Sequence, residues 1–193
     1  RSAGCTFTTF VGYEWTAMQP DSGGNLHRNV VFRNAVVPRL PSTFIDEPAA
    51  ETLWRRLDEQ CNKKSAGCDA LAIPHNANVS DGLMYDKVKF NGAPMDADYA
   101  RRRMDNEPLS EIFQVKGSSE TNPLLSNEDE FAGFEIYDTL LSQSQATSKA
   151  RGSYARDALR TGLEMSHSEG FNPYRFGVIG SSDGHNATSP GEE

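Results

Sequence analysis

The sequence predicts an α/β fold with parallel strands and helices packed outside them. Apolar runs of strand length alternate along the chain with segments of helical periodicity. The strand runs are almost continuously apolar, which is typical of parallel sheets because helices cover both of their faces. The 193 residues are 37% hydrophobic and include ten Phe, enough for one sizeable core. We therefore expect a single domain over residues 1–193.

The first half of the chain is predicted to hold three strands and one helix. Residues 6–15 and 26–37 are rich in β-branched and aromatic residues and predict strands. Residues 46–64 predict a helix, with acids in the first turn, apolar residues at helical spacing and lysines at the end. A short buried strand is predicted over 69–76, and Pro74 stops it because proline cannot extend a central ladder.

The second half is predicted to add two helices and two strands. Helical patterns cover residues 96–106 and 153–170, and Gly170 stops the second of these helices. Apolar runs predict strands over 109–117 and 174–183. Two irregular excursions interrupt this order, near residues 77–108 and 121–152.

Residues able to bind a metal occur at the ends of several predicted strands, where α/β folds place their chemistry. Glu14 follows "FVGY", His27 opens the second strand, and His75 follows "LAIP". Asp183 and His185 follow "VIGSS", and their spacing puts both side chains on one side of the pleat. Imidazole nitrogens and carboxylate oxygens are the ligands that Zn, Mn or Fe take in hydrolytic sites. The pattern therefore predicts one metal cluster.

Bulk charge and hydropathy disfavour two classes of partner. The net charge of −8 and the isoelectric point near 5.0 oppose a wide phosphate-binding surface, so a nucleic-acid scaffold is disfavoured. No run approaches the roughly 20 apolar residues of a membrane span, and "RSAGCTFTTF" lacks the apolar core of a signal peptide. The sequence does not identify the cellular compartment of the protein.

The three cysteines fit neither a redox motif nor a zinc knuckle. Cys5, Cys61 and Cys68 are therefore predicted to be buried or surface thiols rather than catalytic groups. A bridge between Cys61 and Cys68 is sterically possible and would indicate an oxidising compartment. Spacing alone leaves both states open.

Seven motifs follow one another along the chain: "GYEWT", "NLHRNVVFR", "LAIPHN", "GLMY", "EIFQVKGSSETNP", "SYARDALRTGLE" and "NPYRFGVIGSSDGHNA". In this order and spacing, they resemble the DUF3604 family, whose members look related to the PHP (polymerase and histidinol phosphatase) metal-dependent hydrolases. That resemblance implies part of a distorted (β/α)7 barrel of the amidohydrolase type, with a two- or three-metal centre that hydrolyses phosphate esters.

The resemblance also assigns roles by position. Glu14 resembles the bridging glutamate of the PHP enzymes, and His27 and His75 resemble the ligands that follow it. Asp183 and His185 resemble the closing Asp-x-His pair. Two further residues, Asn76 and Glu120, are expected to contact the ligands without binding the metal. Glu120 has no secure counterpart in the family, and a purely structural role for it stays open.

One departure from the family pattern changes the expectation. PHP enzymes open with an H-x-H strand, and DUF3604 members usually carry a "DLHxHT"-like segment upstream, yet no H-x-H occurs in this chain. We therefore expect the C-terminal portion of a barrel. A missing N-terminal half or a second copy of the chain would then supply the remaining metal ligands.

Two functions from different classes remain open. In the first, metals activate a water and polarise the substrate, while Asp183 or His185 moves a proton. Lys116 and Arg28 would neutralise a phosphate, unless they are ordinary surface cations. In the second, the chain is a non-catalytic or incomplete module used for binding or assembly. Hydrolytic turnover with metal added separates the two.

Overall fold

The computed structural model describes residues 8–45, 48–62 and 67–186. Cys5, the start of the predicted strand over 6–15 and both ends of the predicted helix over 46–64 lie outside these ranges. Within the described ranges, every predicted strand and helix is present, and each is shorter than its sequence pattern.

The first sheet contains three antiparallel strands in the order β1-β2-β3. These are β1 (Val11–Trp15), β2 (Arg28–Phe32) and β3 (Ala70–Pro74). Tyr13 pairs with Val30 in the first ladder. The chain between β1 and β2 reverses through a polar turn held by backbone hydrogen bonds. The central strand β2 is therefore paired on both sides.

Helix α1 (Ala50–Leu57) covers one face of this sheet and continues into a π-helical turn over Asp58–Asn62. Leu53 and Leu57 are four residues apart, so they lie on the same side of the helix and both are buried. They pack against the residues of the sheet that point to that face. This first core comprises Trp15, Ala17, Leu26, Val30, Phe32, Leu53, Leu57, Cys61, Cys68, Ala70 and Ala72.

A disulfide joins Cys61 to Cys68, seven residues apart. Both cysteines are buried in the first core, between the end of the π-helical turn and the start of β3. The structure thus contains the bridge that the spacing left open. Because disulfides persist in oxidising surroundings, we expect this link to depend on the redox conditions around the protein.

The second sheet is mixed and has the order β5-β4-β6. Its strands are β4 (Leu109–Gln114), β5 (Gly117–Ser118) and β6 (Gly177–Gly180). β5 runs antiparallel to β4, whereas β6 runs parallel to it after a long crossover that includes α3 (Ala155–Ser168). β4 also lies beside β3, which brings the two sheets together.

Two helices and a 3-10 turn surround the second sheet. Helix α2 (Ala97–Asn106) is capped at its N-terminus by Asp96, whose side chain accepts a hydrogen bond from the backbone N–H of Tyr99 at 2.8 Å. The 3-10 turn covers Ala77–Val79. In the ranges that the structure describes, none of the helices has the length and apolar character that crossing a bilayer requires. The second core comprises Ala77, Met84, Tyr85, Met95, Ala155, Ala158, Met165, Tyr174 and Phe176.

The expected parallel (β/α)7 barrel is wrong. The described chain forms two three-stranded sheets, one antiparallel and one mixed, and they do not close into a barrel. Only twelve residues separate β1 from β2, and they form a turn rather than the crossover helix that parallel neighbours need. Continuous apolar strands reflect burial on both faces. Here β3 is buried because it pairs with β2, contacts β4 and contributes Ala70 and Ala72 to the first core. Burial does not fix strand direction.

Two loops touch at Gly82 and Gly152, which have φ angles of 84° and 81°. A Cβ on Gly152 would lie 2.2 Å from the carbonyl oxygen of Gly82. An alanine would therefore need both a left-handed backbone and a displaced neighbouring loop. We expect Gly152→Ala to lower the free energy of unfolding by about 2–5 kcal/mol, since the two costs are about 1–2 and 1–3 kcal/mol.

Gly92 provides the matched control for this variant. Its φ angle is 79°, but no atom lies within 4 Å of a Cβ built there. Gly92→Ala should therefore cost only the backbone penalty of about 1–2 kcal/mol. Urea unfolding of both variants and the wild type measures the difference. Equal losses in both variants would contradict the close contact at Gly152.

Candidate metal centre

One carboxylate oxygen lies between two imidazoles at one end of the first sheet. Oε1 of Glu14 is 2.8 Å from Nδ1 of His27 and 3.0 Å from Nε2 of His75. The three ligand atoms all lie within 4.8 Å of one another. The His75 side chain is 1% exposed, whereas the Glu14 side chain is 28% exposed. These three residues, the metal triad, could hold a metal ion.

The antiparallel register explains why the triad assembles. Glu14 is near the end of β1, His27 directly precedes β2, and His75 directly follows β3. The end of β1, the start of β2 and the end of β3 meet at the same end of the sheet. The backbone N–H of His75 donates a hydrogen bond to the carbonyl oxygen of His27 there. Side chains alternate between faces, so these three positions share one face and Arg28 points to the other.

The spacing of the triad fits a bound metal. Two atoms that bind one tetrahedral ion at about 2.0–2.2 Å lie roughly 3.3–3.5 Å apart. The distances of 2.8 and 3.0 Å from the Glu14 oxygen are about 0.3–0.7 Å shorter than that spacing, so small side-chain shifts would open the triad around an ion. Two buried polar atoms near the triad, Nε2 of His27 and Oε1 of Glu111, have no hydrogen-bond partner among the described residues. Such atoms are rare in folded proteins, and a bound water or ion is one of the explanations for them.

The triad carboxylate is held in its charged form. Hydrogen bonds from His27 and His75 lower the pKa of Glu14 far below its ordinary value, although partial burial opposes them. A carboxylate that stays ionised offers a permanent negative ligand to a cation. The arrangement therefore suits a divalent metal better than a neutral guest.

Sequence reasoning missed Glu111, a buried carboxylate of β4 behind His75. Its Oε1 is 3.9 Å from Nδ1 of His75, and its Oε2 accepts a hydrogen bond from the Ser181 hydroxyl. Burial raises the pKa of Glu111, and the Ser181 hydrogen bond opposes that rise. Metal-binding histidines usually donate their second N–H to such a carboxylate, which fixes the ring. A glutamate inside the apolar strand "LSEIFQ" is the signal that could have revealed it.

A hydrogen-bonded chain runs from the triad to the end of β6. Nδ2 of Asn76 lies 3.2 Å from Nδ1 of His75, and Oδ1 of Asn76 accepts from Nε2 of Gln114. The same nitrogen of Gln114 donates to Asp183 at 3.1 Å. Gln114 was not predicted from the sequence. A bulge between Glu111 and Phe113 shifts the alternation of β4 by one position, so residues 111 and 114 both reach this side.

Asp183 contacts Lys116 and His185 at the end of this chain. Nζ of Lys116 donates to its Oδ2, and Nε2 of His185 lies 3.1 Å from its Oδ1. Burial would raise the pKa of Asp183, but the hydrogen bonds from Lys116 and His185 outweigh it and lower the pKa. Asp183 is therefore a carboxylate at neutral pH.

The predicted site residues thus separate into three groups. Glu14, His27 and His75 come together as the triad, and Asn76 supports His75. Within the described ranges, Asp183 and His185 pair with each other and Lys116 but do not join the triad. The remaining two lie elsewhere: Arg28 is buried against Glu107 on the other face, and Glu120 pairs with Arg156 at the surface.

Comparison with known proteins adds a family. The model of the family described as "Protein of unknown function (DUF3604)" matches residues 2–193. The comparison with curated proteins gave no match, and the comparison with solved structures also gave none. The family match spans nearly the whole chain and carries no activity of its own. The chain therefore belongs to the DUF3604 family.

Proposed function

We propose that this protein is a metal-dependent hydrolase of the phosphoesterase type, with Zn, Mn or Fe held by Glu14, His27 and His75. The observation that carries the proposal is the Glu14 oxygen placed between two imidazole nitrogens. Two imidazoles and one carboxylate leave metal positions open for a water and a substrate, as in catalytic sites. The relation to PHP hydrolases that the motifs imply favours the same chemistry, and the proposal does not require a parallel barrel.

The neighbouring residues supply the other parts of such a reaction. A divalent metal would supply an activated water and polarise a substrate oxygen. Asp183 is held as a carboxylate by Lys116, and its side chain is 8% exposed, so it would accept a proton in this reaction. His185 is 71% exposed beside Asp183 and would pass that proton to solvent. Lys116 offers a cation for an anionic substrate such as a phosphate ester.

The proposal is for one metal within the described residues. The triad is the only group of three ligands that those residues bring together. A second or third ion, as the family resemblance implies, would need ligands from residues outside the described ranges, from further chain or from a second copy. Metal analysis of the purified chain would give the number directly.

The test is hydrolysis of p-nitrophenyl phosphate by the full chain loaded with Zn, Mn or Fe. We expect turnover with at least one metal, and a loss of roughly 10²–10⁴-fold in Asp183→Asn, which is the usual contribution of a proton-transfer group. Metal content should be unchanged in that variant, because Asp183 is outside the triad.

Asp129→Asn is the matched control. Asp129 also pairs with a cation, Arg156, but it lies on the surface away from the triad. Its activity should equal that of the wild type. Absence of turnover by the metal-loaded wild type with all three metals would contradict the hydrolase and favour the non-catalytic binding module.

A further inference from the structure

A cavity of about 260 Å³ lies on the other face of the first sheet from the metal triad. Two arginines line it: Arg28 is 3% exposed and Arg103 is 2% exposed. Arg28 comes from β2 and Arg103 from α2, so both are fixed by regular elements. The apolar part of the wall consists of Leu26, Leu83, Met84, Val88, Phe90 and Met95.

The two guanidinium groups share a single buried carboxylate. Nε of Arg28 donates to Oε1 of Glu107 at 2.9 Å, and Nη2 of Arg103 lies 3.2 Å from Oε2 of the same residue. Burial would raise the pKa of Glu107, but the two arginines outweigh burial and lower it. Two positive groups and one negative group leave this buried cluster with one excess positive charge. Uncompensated buried charge is costly, so an anion in the cavity would be stabilised.

Arg103 also has one hydrogen-bond donor, Nε, without a partner among the described residues. Its Nη2 donates to the carbonyl of Met84 at 2.9 Å. The rings of Trp54, Tyr85 and Tyr174 surround its guanidinium at 4.8–5.9 Å. These ring faces hold the guanidinium in place without neutralising it.

Apolar side chains lie at the mouth of the cavity, and the three charged side chains near it each have a partner within the protein. Val88 and Phe90 are partly exposed there. Nζ of Lys89 pairs with Asp96 at 2.5 Å, and Oε1 of Glu51 accepts the backbone N–H of Phe90 at 3.0 Å. Asp86, which also lines the cavity, accepts the backbone N–H of Lys87 at 2.6 Å. Backbone N–H groups do not neutralise the carboxylates of Glu51 and Asp86, so the cavity wall also carries negative charge, and the positive charge lies at the two buried arginines.

We propose that this cavity binds a small amphipathic monocarboxylate, with its carboxylate on Arg28 and Arg103 and its apolar chain along Leu83, Met84 and Met95. A planar guanidinium matches a carboxylate in shape and hydrogen bonding. One excess positive charge is balanced by a monoanion and not by a phosphate dianion. The volume is a little below the roughly 300–1,000 Å³ of sites for drug-sized ligands, which selects a short chain. This site is separate from the proposed metal chemistry.

Hexanoate is the probe, and the two tryptophans report its binding. Trp15 lies 5.8 Å from the Arg28 guanidinium and Trp54 lies 5.9 Å from that of Arg103, so the intrinsic fluorescence should change on binding. We expect hexanoate to bind at least about tenfold more tightly than neutral hexanamide, since a charge-assisted hydrogen bond contributes at least that much. Inorganic phosphate should bind more weakly than hexanoate, and EDTA should change nothing.

Val88→Trp tests the location by filling the mouth of the cavity from a partly exposed position. It should weaken hexanoate binding at least tenfold while leaving the melting temperature close to that of the wild type. Leu163→Trp, an exposed position on α3 away from the cavity, should bind like the wild type. Equal affinity for hexanoate and hexanamide, full affinity in Val88→Trp, or no binding at 10 mM hexanoate would each overturn the proposal.

Discussion

Glu107→Ala is expected to destabilise the protein by about 3–5 kcal/mol, because it removes a buried carboxylate that contacts two buried arginines. Glu107 is 1% exposed; it accepts from Arg28 at 2.9 Å and from the indole N–H of Trp54 at 2.8 Å. It also pairs with Arg103 at 3.2 Å. Without it, two guanidinium groups stay buried without a counter-charge. Their desolvation is then uncompensated, which is the main source of the loss.

Urea unfolding followed by tryptophan fluorescence measures this effect. Glu107→Gln keeps the volume and an acceptor for Trp54 but loses the charge, so its loss should lie between those of the wild type and Glu107→Ala. Glu120→Ala is the surface control, because Glu120 pairs with Arg156 in a half-exposed salt bridge worth about 0–1 kcal/mol. A loss below 1 kcal/mol in Glu107→Ala would refute the account of this cluster.

His75→Ala is expected to weaken zinc binding by two to three orders of magnitude. A structural zinc site of four ligands binds with about 10–16 kcal/mol, so each ligand contributes roughly 2.5–4 kcal/mol. His75 is the most buried member of the triad, and no other described imidazole lies near enough to replace it. Competition with a chromophoric zinc chelator gives the dissociation constants.

Two further variants sharpen this measurement. Glu111→Gln should weaken zinc binding by about tenfold, because it removes a buried carboxyl group 3.9 Å from Nδ1 of His75 that does not itself bind the ion. His167→Ala removes an exposed imidazole of α3 and should leave zinc affinity unchanged. Zinc affinity in His75→Ala equal to that of the wild type would show that any bound metal lies elsewhere.

The positions of the strands could be predicted from the sequence, but their directions could not. The apolar runs that contain β1, β2 and β3 mark segments that are buried on pairing. The same run suits a parallel or an antiparallel neighbour, because direction depends on how the chain returns. Here the twelve-residue turn after Trp15 returns β2 antiparallel to β1. Only the β4–β6 pair, joined through α3, follows the parallel crossover that was predicted throughout.

The triad was predicted from strand ends, although the geometry behind that prediction was wrong. Parallel strands would gather their carboxyl ends, yet His27 lies at the amino end of β2. Antiparallel pairing brings His27 beside Glu14 and His75 instead. Glu111 escaped detection because strand alternation makes an isolated glutamate look solvent-facing. Only long-range packing of β4 beside β3 turns it toward His75.

Anomalous diffraction from crystals grown with zinc, at the zinc absorption edge, tests the central claim most directly. The account predicts one peak at about 2.0–2.2 Å from an oxygen of Glu14 and from one nitrogen each of His27 and His75. It also predicts that the peak disappears in crystals of His75→Ala. A peak elsewhere, or none at the triad in zinc-saturated wild-type crystals, would contradict a metal centre at this end of the first sheet.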